Sequence, residues 1–252
     1  MWNIIKAQLY QLRRERIIGI FFLLALFLMG TSIVGEILDD GNTFQGCEYI
    51  LRLGSYHTGI AGIYVVLLTG IMVGMDFLNR TVNYELMTGH TRIEVFLGRV
   101  LPAICIGICC GIILLLIPAV VISLLFGWGN YFTVAQYTLR LLLMIFPFFR
   151  IICEMIFLTV MLKNPYVVSA VGYLVNVLGM FFPPSNVLGM SNLNLLCRYS
   201  QWEVYTFGEK SYRIVDAALS GADVVKTVVV SVLVGVLFLT LAYHYLHYDD
   251  LN

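Results

Sequence analysis

Long apolar runs separated by short charged stretches set the layout of this 252-residue chain. Uncharged residues 17–35 lie between Arg16 and Glu36, and the apolar stretch 56–75 lies between Arg52 and Asp76. Further runs cover 100–126, starting directly after Arg99, then about 136–162, about 166–182 (stopped by Pro183 and Pro184), and about 224–246. A membrane-crossing helix needs roughly 20 apolar residues, because a hydrocarbon layer of ~30 Å is climbed at about 1.5 Å per residue. Six transmembrane helices are therefore expected. The runs are continuous rather than alternating, which favours helices over barrel strands. Pro102, Pro118 and Pro147 each remove a backbone donor and are candidate kinks, a change that neighbouring helices in a membrane can absorb.

The expected fold is all-α: an amphipathic interfacial helix over 1–16, a six-helix transmembrane domain over 17–246, and a short tail over 247–252. Composition sharpens this. The chain is 60% hydrophobic and 12% charged, and its mean hydropathy is +0.89. Soluble domains run at about 45–50% apolar and about 25% charged. A soluble core, a disordered chain, a basic nucleic-acid binder and a disulfide-stapled secreted domain are all disfavoured. Lys+Arg and Asp+Glu number 15 each, so net charge names no partner and no nucleic acid is expected. The six cysteines do not fall in metal spacings; Cys105, Cys109 and Cys110 read as small apolar residues, and no metal is expected. The first run is too long for a signal peptide and lacks a small-residue cleavage site, so it reads as a permanent helix.

Loop charge orients the bundle. Segments 1–16, 76–99, 163–165 and 247–252 carry Lys6, Arg13, Arg14, Arg16, Arg80, Arg92, Arg99 and Lys163. The opposite segments, 36–55, 127–135 and 185–223, are longer in total but carry only Arg52, Arg198, Lys210 and Arg213. Both termini are expected in the cytoplasm, with the protein in the plasma membrane. Trp128 and Tyr131, and Tyr243, Tyr245 and Tyr248 with His244 and His247, suit the headgroup level. In 1–16, Trp2, Ile5, Leu9 and Leu12 share a helical face while Lys6, Arg13 and Arg14 point elsewhere, a pattern for a helix lying on membrane lipids. The long outer segment 185–223 is expected to form a re-entrant or surface-lying element. Cys47 and Cys197 both fall in outer segments, where they either pair or stay as thiols.

Chemistry is sparse. No phosphate-binding loop exists; Gly208-Glu209-Lys210-Ser211 lacks the required glycine spacing. There is no zinc-protease or serine-nucleophile motif and no pair of intramembrane carboxylates. No catalytic residue, enzyme activity or cofactor bound by this chain is expected. Arg150 and Glu154 are the costly residues, since an ionisable group at mid-membrane costs at least ~2.5–3.5 kcal/mol on insertion scales. Their i,i+4 spacing puts them on one helical face, where each can neutralise the other, either as a polar pathway lining or as a structural pair. Arg140 lies near the outer end and is expected to reach the headgroups.

Residues 76–99 are the most informative stretch. Thr81 to Thr88 suit a short helix, Gly89 suits its end, and Thr91-x-x-Glu94 reads as a capping box opening a helix that continues into the third span. Helix, tight break and capped helix form an elbow, which serves either as a hairpin or as a docking surface for a cytoplasmic partner. Asp76, Phe77, Thr81, Leu86, Gly89, Thr91-Arg92 and Gly98-Arg99 together resemble the segment between the second and third helices of permease subunits of ABC transporters of the type-2 export class. Arg80 stands where that family usually has glycine. The resemblance implies that this segment is a coupling helix seated in a groove of the ATPase, with Phe77, Thr81, Glu85, Leu86, Gly89, Thr91 and Arg92 as the coupling residues. It also implies two copies of an ABC ATPase subunit carrying ATP-Mg, and a second permease, identical or homologous. The length is most similar to small permeases encoded with a separate ATPase, a group that includes lantibiotic and antimicrobial-peptide immunity exporters. The implied function is ATP-driven export of an amphipathic substrate. An ATP-independent secondary transporter or channel, or a membrane scaffold or sensor subunit, is the alternative.

Overall fold

The computed structural model describes residues 2–40, 45–79, 81–130, 133–180, 201–206, 209–214 and 221–248. In chain order the helices are α1 (Trp2–Arg14), α2 (Arg16–Asp40), α3 (Gly46–Leu78), α4 (Thr81–Met87), α5 (Arg92–Phe126), α6 (Val134–Leu143), α7 (Ile145–Leu162), α8 (Pro165–Met180) and α9 (Gly221–Tyr248). Between α8 and α9 lies an antiparallel hairpin of β1 (Gln201–Thr206) and β2 (Glu209–Ile214), with Trp202 opposite Arg213 and Glu203 opposite Tyr212. The all-α expectation holds for the bundle; the connecting segment 185–223 adds this short hairpin, and the rest of that segment apart from 221–223, with Cys197, lies outside the described residues. Cys47 is a buried thiol.

Among the described residues five spans, Arg16–Leu38, Tyr56–Leu78, Arg92–Phe126, Val134–Leu162 and Val224–Tyr248, are long and apolar enough to cross a membrane. The expected span 166–182 is helical over its described part, in α8. α8 has 16 residues, so it rises ~24 Å at about 1.5 Å per residue. Its start is sharply defined. Lys163 adopts a left-handed conformation (φ 51°) after α7. The Asn164 side chain then accepts from the Tyr166 N–H (3.0 Å), and Pro165 takes the first helical position, where its missing donor costs nothing.

Of the three candidate kink prolines, Pro102 and Pro118 sit inside the unbroken α5. The fourth span instead breaks at Met144, between α6 and α7. Pro147 has no N–H to offer the Leu143 carbonyl, which accounts for a break there.

α3 is the central helix: 67% of an 18-residue apolar stretch of it is buried, against 11% for that of α2. Glycines on α3 and α5 set close approaches between helices. A Cβ on Gly107 or Gly111 of α5 would meet Ile152 and Phe148 of α7 at 2.7 and 2.9 Å, and one on Gly74 of α3 would meet Pro165 at 2.8 Å. Small residues four apart let membrane helices come together at backbone range.

These contacts also sort the loops into two ends. α1 meets the start of α5, since Ile4 covers Gly98. The end of α3 meets the start of α8, and Arg92 reaches the end of α9. At the other end, the Gly46 and Cys47 N–H groups donate to the Gly127 (2.9 Å) and Trp128 (2.8 Å) carbonyls.

Candidate functional site

The elbow is built from local signals. α4 closes with a paired turn in which the Gly89 N–H donates to Leu86 O (3.1 Å) and the His90 N–H donates to Glu85 O (3.3 Å). Gly89 has φ +92°, the left-handed setting such a C-terminal turn requires and glycine adopts without steric cost. Two residues on, Thr91 caps α5. Its hydroxyl accepts from the Glu94 N–H (3.3 Å), and the Glu94 carboxylate accepts from the Thr91 N–H (3.1 Å). The expected helix, break and capped helix are thus all present.

The elbow is locked from inside by one guanidinium. Arg99, 5% exposed, ion-pairs with Asp76, 4% exposed, at the end of α3. Arg99 Nη2 also donates to Glu85 of α4 (2.9 Å) and to the Thr81 hydroxyl (3.3 Å), and that hydroxyl donates to Asp76 O (3.0 Å). One side chain therefore ties α3, α4 and α5 together. Val82, Val95 and Ile4 form a small apolar core beneath, flanked by Phe77 and Leu86. Gln8 of α1, oriented with its amide nitrogen toward α5, donates to the Gly98 (3.1 Å) and Arg99 (3.3 Å) carbonyls.

Phe77, Thr81, Glu85 and Leu86 are half-buried and brace the elbow from within. Arg92 is engaged as well. It donates to the Leu246 carbonyl (2.9 Å) and to that of His247, closing the C-terminus of α9 where a cation is favoured. Gly89 and Thr91 remain exposed. The large apolar residues the elbow does present are Tyr84 (67% exposed), Met87 (81% exposed) and Ile93 (49% exposed). Reading the sequence by motif passed over Tyr84 and Met87. The signal was available: three apart on a short helix, they fall on the face opposite Val82 and Leu86.

α1 leaves the Trp2 and Leu9 edge of its expected apolar face free and docks by a neighbouring edge. Ile4 and Gln8 are buried against α5 while Trp2 and Leu9 stay exposed, and Lys6 lies 5.5 Å from the Trp2 ring centroid. The helix is thus held by one edge and leaves its Trp2–Leu9 edge free for lipid.

Within the bundle, Arg150 Nε lies 3.6 Å from Glu154 Oε1 along α7, the pairing their spacing implied. Arg140 does not reach out to headgroups. It is 1% exposed, because α6 turns its Tyr137–Arg140–Met144 face inward, with the Tyr137 hydroxyl donating to Leu115 O (3.2 Å). A buried histidine also went unread: His57 Nε2 is 2.7 Å from the Ser32 hydroxyl, a polar tie between α2 and α3. Among the described residues, no group of His, Cys, Asp and Glu could hold a metal ion.

No protein-family model and no curated protein matches the chain. The case for function rests on the elbow, the apolar helices and the motif at 76–99.

Proposed function

We propose that the chain is the transmembrane permease subunit of an ATP-driven exporter in the plasma membrane, with the 81–94 elbow as the seat for a separate ATPase. The observation that carries this is the contrast within the elbow. Its inner side is locked by Arg99 to two transmembrane helices, while its outer side shows Tyr84 and Met87 to solvent. A rigid helix bearing exposed aromatic and methionine side chains suits insertion into a hydrophobic groove of a protein partner. Arg99 would pass a push on α4 directly into α3 and α5, the longest helices of the bundle.

In this reading α8 is the sixth crossing. It starts at the elbow end and α9 finishes there. The termini lie in the cytoplasm with the elbow, where ATP is available. Two ATPase copies and a second permease complete the transporter, and the cargo is amphipathic.

Co-purification tests the reading. A C-terminally tagged chain, gently solubilised from its native membrane, is expected to bring down a soluble protein with a phosphate loop. Tyr84→Ser with Met87→Ser is expected to lose that protein while the permease keeps its thermal midpoint. A permease that purifies alone under conditions preserving ABC complexes would overturn the proposal in favour of a secondary transporter. Retention of the ATPase by the double variant would move the docking site away from the elbow.

A further inference from the structure

α1 lies across the bundle, not along it. Ile4 covers Gly98, and Gln8, with its amide nitrogen toward α5, donates to the Gly98 (3.1 Å) and Arg99 (3.3 Å) carbonyls, so two successive turns of α1 touch one level of α5. A helix running along α5 would have climbed about 6 Å between those two residues. Farther on, Gln11, Leu12 and Glu15 line a small cleft with Ile71, Met72 and Met75 of α3. Asp76 pairs with Arg99, so these stretches of α3 and α5 stand at one height. α1 therefore straps α5 to α3 at the depth of the Arg99 lock. Only Glu15 separates it from α2, whose apolar span begins at Arg16, so α1 sits where the bundle leaves the membrane.

The free edge of α1 alternates apolar and basic groups. Trp2, Lys6, Leu9 and Arg13 follow one another at steps of four, three and four, which puts them on a single stripe. All four are exposed, as are Arg14 and Arg16 beside them. Lys6, Arg13, Arg14 and Arg16 face Glu15 as the sole acid of residues 2–16, and Glu15 is half-buried on the α3 side. None of the four cations forms an ion pair among the described residues. An indole and a leucine suit the acyl boundary of a membrane, while long basic side chains reach the phosphates above it.

We propose that α1 is a clamp for anionic phospholipid that steadies the elbow. Lys6, Arg13, Arg14 and Arg16 take headgroup phosphates, and Trp2 and Leu9 enter the acyl boundary. The ammonium of a zwitterionic headgroup offsets its own phosphate, so the basic edge selects lipids of net negative charge. Each basic residue near such a surface strengthens binding roughly fivefold. The held helix keeps Ile4 over Gly98 and Gln8 on the Gly98 and Arg99 carbonyls. Arg99 is the side chain that joins α3, α4 and α5. Loss of the lipid contact frees α1 to lift, which bares those carbonyls and loosens the start of α5. The inference uses the geometry of the elbow and does not need the ATPase seat proposed for it.

Hydrogen exchange of the full chain in lipid nanodiscs tests it, with phosphatidylcholine alone compared against phosphatidylcholine containing about one-third phosphatidylglycerol. Amides of 2–14 are expected to exchange at least ~10-fold more slowly in the anionic membrane, and those of 81–94 to slow with them. The effect is expected to fade in ~1 M salt, where screening acts within about 3 Å. Lys6→Gln with Arg13→Gln and Arg14→Gln changes three exposed residues and leaves the docked edge intact; this triple variant is expected to exchange alike in the two membranes. Equal exchange of 2–14 in the parent chain overturns the proposal and leaves the basic edge to an acidic protein surface. That comparison needs no variant and no ATPase. An undiminished lipid effect in the triple variant overturns the assignment to these cations, and slowing at 2–14 without any at 81–94 overturns the link to the elbow.

Discussion

Arg99→Met is the most informative single perturbation of the elbow. Arg99 serves Asp76, Glu85 and Thr81 at once, from a site that is 5% exposed. Its removal leaves Asp76, 4% exposed, beside a second carboxylate with no counter-charge. Removing one member of a buried ion pair costs about 3–5 kcal/mol. For a chain of this size each kcal/mol lowers the thermal midpoint by about 2–4 °C, so the expected drop is roughly 6–20 °C. Asp76→Leu alone is milder, about 1–3 kcal/mol, because Arg99 keeps Glu85 and Thr81. The double variant Asp76→Leu with Arg99→Met buries no unpaired charge and is expected to be more stable than the sum of the singles by about 2 kcal/mol, within the range for residues in direct contact. The assay is denaturant and thermal unfolding of the purified chain in detergent micelles, followed by circular dichroism, for the four members of the cycle. Additivity within about 0.5 kcal/mol, or an Arg99→Met midpoint within 2 °C of the parent, would refute the idea that this pair locks the elbow.

Other perturbations probe separate contacts. Arg92→Gln removes a cationic cap from the end of α9 and is expected to cost about 0.3–1 kcal/mol; hydrogen exchange at 243–248 should quicken while exchange in the rest of α9 is unchanged. Gly89→Ala meets no neighbour within 4 Å but must hold φ +92°, so a cost of about 1–2 kcal/mol is expected from backbone conformation alone, read as a lower thermal midpoint. Gly98→Val would drive a Cβ to within 2.9 Å of Ile4; α1 should lift from α5 and become cleavable by protease at 2–14, and an unchanged cleavage pattern would show that α1 does not depend on this contact. Exchanging Arg150 and Glu154 together is expected to restore most of the stability lost in Arg150→Glu, and failure to do so would remove the ion pair from the account of α7.

Much of the elbow was legible because its signals are local. A capping box spans four residues, and the helix-ending turn spans six. Thr91 with Glu94, and Gly89 after Leu86, carry their partners within the same short stretch of chain. The apolar runs were legible for a similar reason, since a helix in hydrocarbon must be long and continuous wherever its neighbours lie. The spacing of Arg150 and Glu154 belongs to the same class. The hairpin within 201–214 was less so: hydropathy reports how far an apolar run extends, not what lies between two such runs.

What the sequence by itself determined, then, is the set of apolar helices, the shape of the elbow and one ion pair within a helix. Only the tertiary structure decided which side chains meet across helices. Arg99 finds Glu85 fourteen residues away, and Arg92 finds Leu246 across 154. Arg140 is drawn inside, Phe77 and Leu86 face inward, Tyr84 and Met87 face out, and Thr227 and Ser231 are sealed without partners. The physical reason is that these helices are apolar around most of their circumference. Periodicity marks a buried face only when the opposite face is polar, as it does for a helix in water. In lipid both faces are greasy, so the rotation and axial offset of each helix are chosen by close packing at glycines such as Gly74, Gly107, Gly111 and Gly235 and by the few polar groups that must find one another.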